Sequence, residues 1–176
     1  TALAYARVWH HVDASDRVLG KLAERIALVL MGKHKPIYDK GGERLVVLAL
    51  AYTADCDPGV VDCGDYVVVT NARNIKVSGN KEQQFLYRKH TMYPGGLKET
   101  PYNRMMETKP HEIIMHAVSG MLPKNKLRDR RLSRLKVFGG SNMGIYRNNI
   151  LKRWEDGTLT DEYILRLDPQ NRPLKT

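Results

Sequence analysis

The run at residues 65–71, Asp-Tyr-Val-Val-Val-Thr-Asn, constrains the fold of this chain more than any other stretch. Nearly continuous β-branched character is typical of a strand buried on both faces of a parallel sheet. A β-rich stretch at 8–12 precedes it, followed by apolar residues at helical spacing over 19–30 and by Gly32, which ends the helix. Strand, helix and buried strand in this order predict a βαβ crossover and therefore an α/β domain.

The remaining pattern predicts how the chain is divided. Residues 41–61 combine turn residues with an apolar run and predict an insertion. Residues 75–77 predict a short strand, and Pro110 predicts the first turn of a helix with Ile113, Ile114, Ala117, Val118 and Met121 as its buried stripe. We expect one domain over 1–140 and a C-terminal extension, not an independent domain, over 141–176.

Positive charge is concentrated in one part of the chain. The formal net charge is +10, and residues 121–153 contain ten basic residues with Asp129 as their only acid. A localised field of this sign suits a polyanion, with nucleic acid ahead of an anionic membrane surface. No apolar run approaches the length of a bilayer span. Leu127, Leu132 and Leu135 are expected to anchor a short basic helix whose arginines face outward.

The motifs of several enzyme classes are missing from the sequence. The turn after the first strand has neither the glycine pattern of dinucleotide-binding folds nor that of phosphate-binding loops. His111 and His116 are five residues apart, so they do not share a helix face as zinc ligands would. Cys56 and Cys63 fit two reduced thiols better than a disulfide or a metal knuckle. We predict no catalytic residue, metal, cofactor or small-molecule substrate; the alternative is an α/β enzyme acting on a phosphorylated substrate.

Four basic segments carry interleaved aromatic residues and glycines, the residue types that contact phosphate, ribose and unpaired bases in RNA. The candidate RNA-binding residues are Lys33, His34, Lys35, Ser78, Asn80, Lys81, Arg88, Lys89, His90, Lys98, Lys124, Lys126, Arg128, Arg130, Arg131, Arg134 and Lys136.

At these residues the chain resembles a known family, large-subunit ribosomal protein thirteen, the universally distributed L-thirteen family. The similarity extends over about residues 8–140 with the motifs in family order. The stretches that carry it lie at 9–23, 32–36, 63–72, 77–81, 87–98, 120–125 and 135–138.

The resemblance implies a three-layer α/β/α domain with a short, mostly parallel sheet, extended here by the insertion and a basic C-terminal segment. It also implies a structural, non-enzymatic role in which the protein binds large-subunit ribosomal RNA early in assembly, beside neighbouring large-subunit ribosomal proteins. The family's RNA-facing motifs correspond to residues 32–35, 78–81, 90–98 and the segment after Leu122.

Two departures from the bacterial pattern, the insertion and the end of the chain after about residue 140, resemble a mitochondrial, fungal-like member. We therefore expect the protein in the mitochondrial matrix, in the mitochondrial ribosome, ahead of the bacterial cytoplasm or a plastid.

Overall fold

A computed structural model of the chain describes residues 6–36, 38 and 62–154. The insertion predicted at 41–61 and the last part of the C-terminal extension, from residue 155 onward, lie outside the described residues. In chain order the elements are β1 (Trp9–Asp13), α1 (Leu19–Met31), β2 (Tyr66–Thr70), a 3₁₀ turn (Ala72–Asn74), α2 (Lys81–Gln84), β3 (Leu86–His90), β4 (Leu97–Pro101), α3 (Tyr102–Thr108), α4 (Pro110–Met121), α5 (Arg128–Ser133), β5 (Leu135–Val137), a second 3₁₀ segment (Gly144–Asn149) and β6 (Lys152–Trp154).

The central sheet has four parallel strands in the order β5-β2-β1-β6. Strands β1 and β2 are adjacent and parallel on either side of α1 in the chain, so the predicted βαβ unit and the α/β class are confirmed. Strand β2, the β-branched run, lies inside the sheet with β1 and β5 as neighbours. The strand predicted at 75–77 is wrong: it is reduced to a single bridge between Lys76 and Val18, because helix α1 begins directly after Val18 and leaves no extended partner to continue the pairing.

The core lies between one face of this sheet and the helices α1 and α4, which pack against each other. Alternate residues of a strand point to the same face, so Val12 on β1 and Val67 and Val69 on β2 share the core side. Residues at its centre that have no exposed surface are Val12, Val67, Val69, Ile26, Leu30, Ile114 and Val118. Burying each such side chain contributes about 1.5–3 kcal/mol.

Helix α4 begins at Pro110, as the sequence predicts, and buries Ile113, Ile114 and Val118. The predicted burial of Met121 is wrong, since its side chain is 44% exposed. The helix ends at Met121. Leu122 follows with an extended backbone, and its side chain packs in the core, where the residue is 3% exposed.

The opposite face of the sheet carries an aromatic cluster. Trp9 and Tyr66, paired in register between β1 and β2, stack with ring centroids 4.2 Å apart and planes 7° from parallel. Tyr146 of the second 3₁₀ segment stacks on Trp9 at 5.5 Å. The beginning of the C-terminal extension therefore covers this face with Tyr146 and supplies the edge strand β6, neither of which the sequence pattern predicts.

Strands β3 and β4 form a separate antiparallel hairpin, with Leu86 opposite Pro101 and His90 opposite Leu97. The hairpin is followed directly by α3, which packs against α4. Among the described residues, no helix combines the length and apolarity that crossing a membrane requires.

The end of α1 approaches the start of β2 very closely. Gly32 caps the helix in the left-handed conformation, with φ of 79°, where glycine is favoured. Beside it, a Cβ atom on Gly64 would overlap the carbonyl of Leu30 and crowd the Arg134 guanidinium. Glycine at 64 is therefore required by contact rather than by its own backbone conformation.

We predict that Gly64→Ala lowers the free energy of unfolding by about 1–3 kcal/mol, because the added methyl group must displace backbone. Gly120→Ala is the matched control. It lies in α4, and no atom lies within 4 Å of the position that its Cβ would take, so alanine should raise stability by up to about 1 kcal/mol through helix propensity. Urea unfolding of both variants measures this, and equal stabilities would contradict the close contact at Gly64.

Candidate nucleic-acid interface

A buried carboxylate at the amino edge of the sheet organises the first basic segment. Asp65, 1% exposed, accepts hydrogen bonds on one oxygen from Lys35 Nζ at 2.6 Å and the Val8 amide at 3.0 Å. Its other oxygen lies 3.0 Å from His10 Nε2 and 2.9 Å from His34 Nε2. His34 and Lys35, both predicted to contact RNA, are thus bound internally through their side chains.

The tautomer of His10 follows from its two partners. Trp154 Nε1, which is a donor only, lies 3.2 Å from His10 Nδ1, so Nδ1 must accept and Nε2 must carry the proton donated to Asp65. Burial lowers the pKa of His10 from its ordinary value, although hydrogen bonding to Asp65 opposes the shift. Both observations indicate a neutral imidazole.

The carboxyl group of Asp65 is held ionised. Burial by itself would raise its pKa, but the hydrogen bonds from His10, His34, Lys35 and the Val8 amide outweigh burial and hold it well below the usual range. A buried charge is stable only with this degree of pairing.

His10, His34 and Asp65 bring potential metal-ligating atoms within 4.8 Å of one another. Two contacts make this cluster a poor fit for a cation. A metal on His10 Nε2 would leave a proton on Nδ1, which would then face the Trp154 N–H donor. The Lys35 ammonium, 2.6 Å from the same carboxylate, already supplies the positive charge.

A second carboxylate, the partly buried Asp62, binds two of the arginines predicted to contact RNA. Arg134 forms a bidentate pair with it and also donates to the Leu30 carbonyl at 3.0 Å, while Arg131 Nε lies 3.7 Å from Asp62. Arg131 and Arg134 are 5% and 3% exposed. The expectation that the arginines of this short helix face outward is therefore wrong for these two, because their charges are neutralised within the fold.

The pKa of Asp62 is lowered for a similar reason. Burial raises it, but the hydrogen bond and charge of Arg134 and the charge of Arg131 act more strongly in the other direction. These pairs join α5 to the segment before β2 and to the end of α1. Arg128 is half-buried and donates to the carbonyl and hydroxyl oxygens of Ser119, at 2.7 Å each, which ties α5 to α4.

Most of the other candidate residues are exposed, on the turn after α1, on the turn before α2, on the β3–β4 hairpin and between α4 and α5. The exposed candidates are Lys33, Ser78, Asn80, Lys81, Arg88, Lys89, His90, Lys98, Lys124, Lys126 and Arg130. Lys136, on β5, is half-buried.

The hairpin places two like charges side by side. Lys89 and Lys98 are directly opposite each other in the antiparallel register, and both are exposed. Such a pair is destabilising in isolation. The neighbouring Arg88 is opposite Glu99 and binds it at 2.7 Å. Within the part of the chain that the structure describes, Lys89 and Lys98 have no carboxylate partner, so an anion between them would relieve their repulsion.

The tip of the hairpin is ordered by its own hydrogen bonds. The amide of Thr91 donates to the Gly96 carbonyl at 3.0 Å, and the amide of Gly96 donates to the Tyr93 carbonyl at 2.9 Å. His90 Nδ1 accepts from the Met92 amide at 3.0 Å. Met92 and Tyr93 remain 88% and 75% exposed. The tip therefore presents its side chains from a fixed backbone, and the sequence spacing did not predict this hairpin.

Acidification should weaken the fold through His10. Because the pKa of His10 is lowered in the folded protein, the unfolded chain binds more protons below the ordinary value of 6.5. The free energy of unfolding should therefore fall from pH 7 to pH 5, with a slope from this residue of at most about 1.4 kcal/mol per pH unit. Urea unfolding at several pH values measures the slope.

In the His10→Asn variant this slope should be smaller, since position 10 then has no imidazole that can bind a proton. Trp154→Phe is the control for the tautomer: without the indole N–H, Nδ1 can accept a proton, and the slope should again decrease. A slope unchanged in both variants would contradict a His10 that burial holds neutral in the folded protein.

Comparisons with known proteins agree on one family. The model of the family "Ribosomal protein L13" matches residues 7–49 and 55–143. The large ribosomal subunit protein uL13 of Clostridioides difficile is 50% identical over 135 residues, which is 77% of this chain and 81% of that protein. The protein of the same name from Thermoanaerobacter sp. (strain X514) is 47% identical over the same shares of the two chains.

A relative from Schizosaccharomyces pombe, named large ribosomal subunit protein uL13m, is 42% identical over 157 residues, 89% of this chain and 87% of that protein. The resemblance suggested by the motif order is thus confirmed. The chain belongs to the ribosomal protein L13 family, which consists of structural constituents of the large ribosomal subunit rather than enzymes.

Proposed function

We propose that this protein binds large-subunit ribosomal RNA in the large ribosomal subunit, mainly through contacts to phosphate and ribose. The shape of the folded RNA, rather than its base sequence, then sets the specificity. The observation that carries the proposal is the pair Lys89 and Lys98, two exposed lysines directly opposite each other in the hairpin register, without a carboxylate partner among the described residues. A backbone phosphate between them would convert a repulsion into two attractions.

The other exposed candidates extend this surface. Ser78, Asn80 and Lys81 combine hydroxyl, amide and ammonium groups on one turn, which suits phosphate and ribose together. Lys124 and Lys126 are exposed between α4 and α5, and Arg130 is exposed on α5. RNA in A-form is recognised largely through such backbone contacts.

The internally bound candidates have a different role in this proposal. Arg131 and Arg134 hold α5 through Asp62, and His34 and Lys35 hold the turn after α1 through Asp65. They position the segments that carry Arg130 and Lys33, both exposed. We therefore expect their replacement to act on RNA binding through the fold, and not through the loss of a phosphate contact.

The salt dependence of RNA binding tests whether the exposed candidates around α5 contact phosphate. Removing both Lys126 and Arg130, by Lys126→Ala and Arg130→Ala together, should reduce the slope of log affinity against log salt by about 1.5–2, because each phosphate contact releases counterions. The probe is a large-subunit ribosomal RNA transcript, and affinity is measured by filter binding at several salt concentrations.

The matched control is the pair Lys21→Ala and Arg104→Ala, which removes two exposed cations outside the candidate set. Its slope should equal that of the wild type. A wild-type slope in the Lys126 and Arg130 double variant would contradict a contact by the segment around α5, while an equal reduction of the slope in both double variants would point to net charge alone.

We further propose that the protein acts in a mitochondrial ribosome and joins the RNA early in assembly. The alignment with the S. pombe uL13m covers 89% of the chain, against 77% for the bacterial relatives, and this favours a member with a similar extension. Sedimentation of a mitochondrial extract after a high-salt wash should place the native protein with the large subunit and with its early precursor particles. A free species, or absence from mitochondria, would contradict this proposal.

A further inference from the structure

A cavity of about 240 Å³ opens beside the turn that precedes α2. Its walls come from both sides of the hairpin base and from the helices that follow. The lining residues on the exposed side are Lys81, Phe85, Tyr87 and His116, and the deeper ones are Leu19, Val77, Tyr102, Ile113 and Ala117. Phe85 remains 47% exposed, which is unusual for a residue of this size next to a packed helix pair.

The exposed side of the cavity is aromatic. Phe85 and Tyr87 meet edge to face with centroids 4.9 Å apart, and Tyr87 lies 5.7 Å from His116 with planes 33° apart. These contacts fix the rings and leave the Phe85 side chain half open to solvent. Rigid aromatic surfaces of this kind suit a flat π system as occupant.

The rim of the cavity includes one positively charged side chain. Lys81 is the charged residue among the lining residues, and its Nζ donates to Ser78 Oγ at 3.3 Å, which holds the ammonium over the turn. Ser78 and Asn80, also exposed, continue the polar rim. An occupant with an apolar flat part and an attached anion fits this arrangement better than an aliphatic side chain.

We propose that the cavity receives one unstacked base of the ribosomal RNA, with the phosphate of that nucleotide against Lys81. The inference rests on the proposed function, and it names a contact that charge alone does not require. Looped or bulged RNA offers such bases, and proteins commonly bind them on aromatic side chains. The base would cover Phe85, displace water from the cavity and stack on the aromatic ring.

The test is a comparison of side chains at position 85. Phe85→Leu keeps an apolar side chain but removes the aromatic face, whereas Phe85→Trp keeps an aromatic face. Phe138→Leu is the matched control, since Phe138 is the other phenylalanine of the chain and lies away from this cavity, 6.0 Å from Tyr146. Urea unfolding confirms that each variant is folded before binding is measured.

The probe is again a large-subunit ribosomal RNA transcript, with affinity from filter binding and base accessibility from chemical modification. Phe85→Leu should bind about 10-fold or more weakly than the wild type, as expected for one lost stacking contact, with an unchanged salt slope. One base that is protected by the wild type should become reactive. Phe85→Trp and Phe138→Leu should retain both affinity and protection.

Wild-type affinity and base protection in Phe85→Leu would overturn the inference, and so would equal losses in Phe85→Leu and Phe138→Leu. The proposed function would survive either result, because it depends on the salt slopes of the lysine and arginine variants. Ultraviolet cross-linking of whole subunits provides a second measurement. A cross-link from the 85–87 peptide to a nucleotide would support the inference that a base occupies the cavity. A cross-link from this peptide to a neighbouring protein would overturn it.

Discussion

The rest of the structure depends on the hydrogen bonds and the ion pair that the buried carboxylate of Asp65 forms. Through its partners it joins β1, the turn after α1 and the start of β2, and His10 extends the connection to Trp154 on β6. An ionised group with 1% of its surface exposed requires this full set of donors. The sheet, the end of the first helix and the C-terminal extension are thus aligned by one charge, beside the close contact at Gly64.

The basic residues divide into two groups by their surroundings. Lys35 is paired with the buried Asp65, and Arg131 and Arg134 are paired with the partly buried Asp62, so all three act within the protein. Lys89 and Lys98 are exposed and opposed, which costs stability in the isolated chain. We infer that the first group orients the surface and that the second group is available to a partner, so fewer cations are accessible than the net charge alone suggests.

The fold class could be predicted from the sequence because the signals that indicate each helix and strand are local. The β-branched run of β2, the helical spacing of α1 and Pro110 at the start of α4 each indicate their element without reference to distant residues, and all three were confirmed. The motif order likewise indicated the family. The strand at 75–77 and the burial of Met121 were wrong, because sheet neighbours and the exact end of a helix depend on the packed structure.

The sequence by itself determined an α/β protein of the ribosomal L13 family with a concentrated positive charge. Only the tertiary structure decided where that charge is available, since Asp62 and Asp65 are distant in the chain from most of the cations they bind. It also decided the pairing of Lys89 with Lys98, the strand β6 and the aromatic cavity at Phe85. The physical reason is that register, burial and ion pairing arise between segments far apart in sequence, and residue types and their spacing carry no measure of those distances.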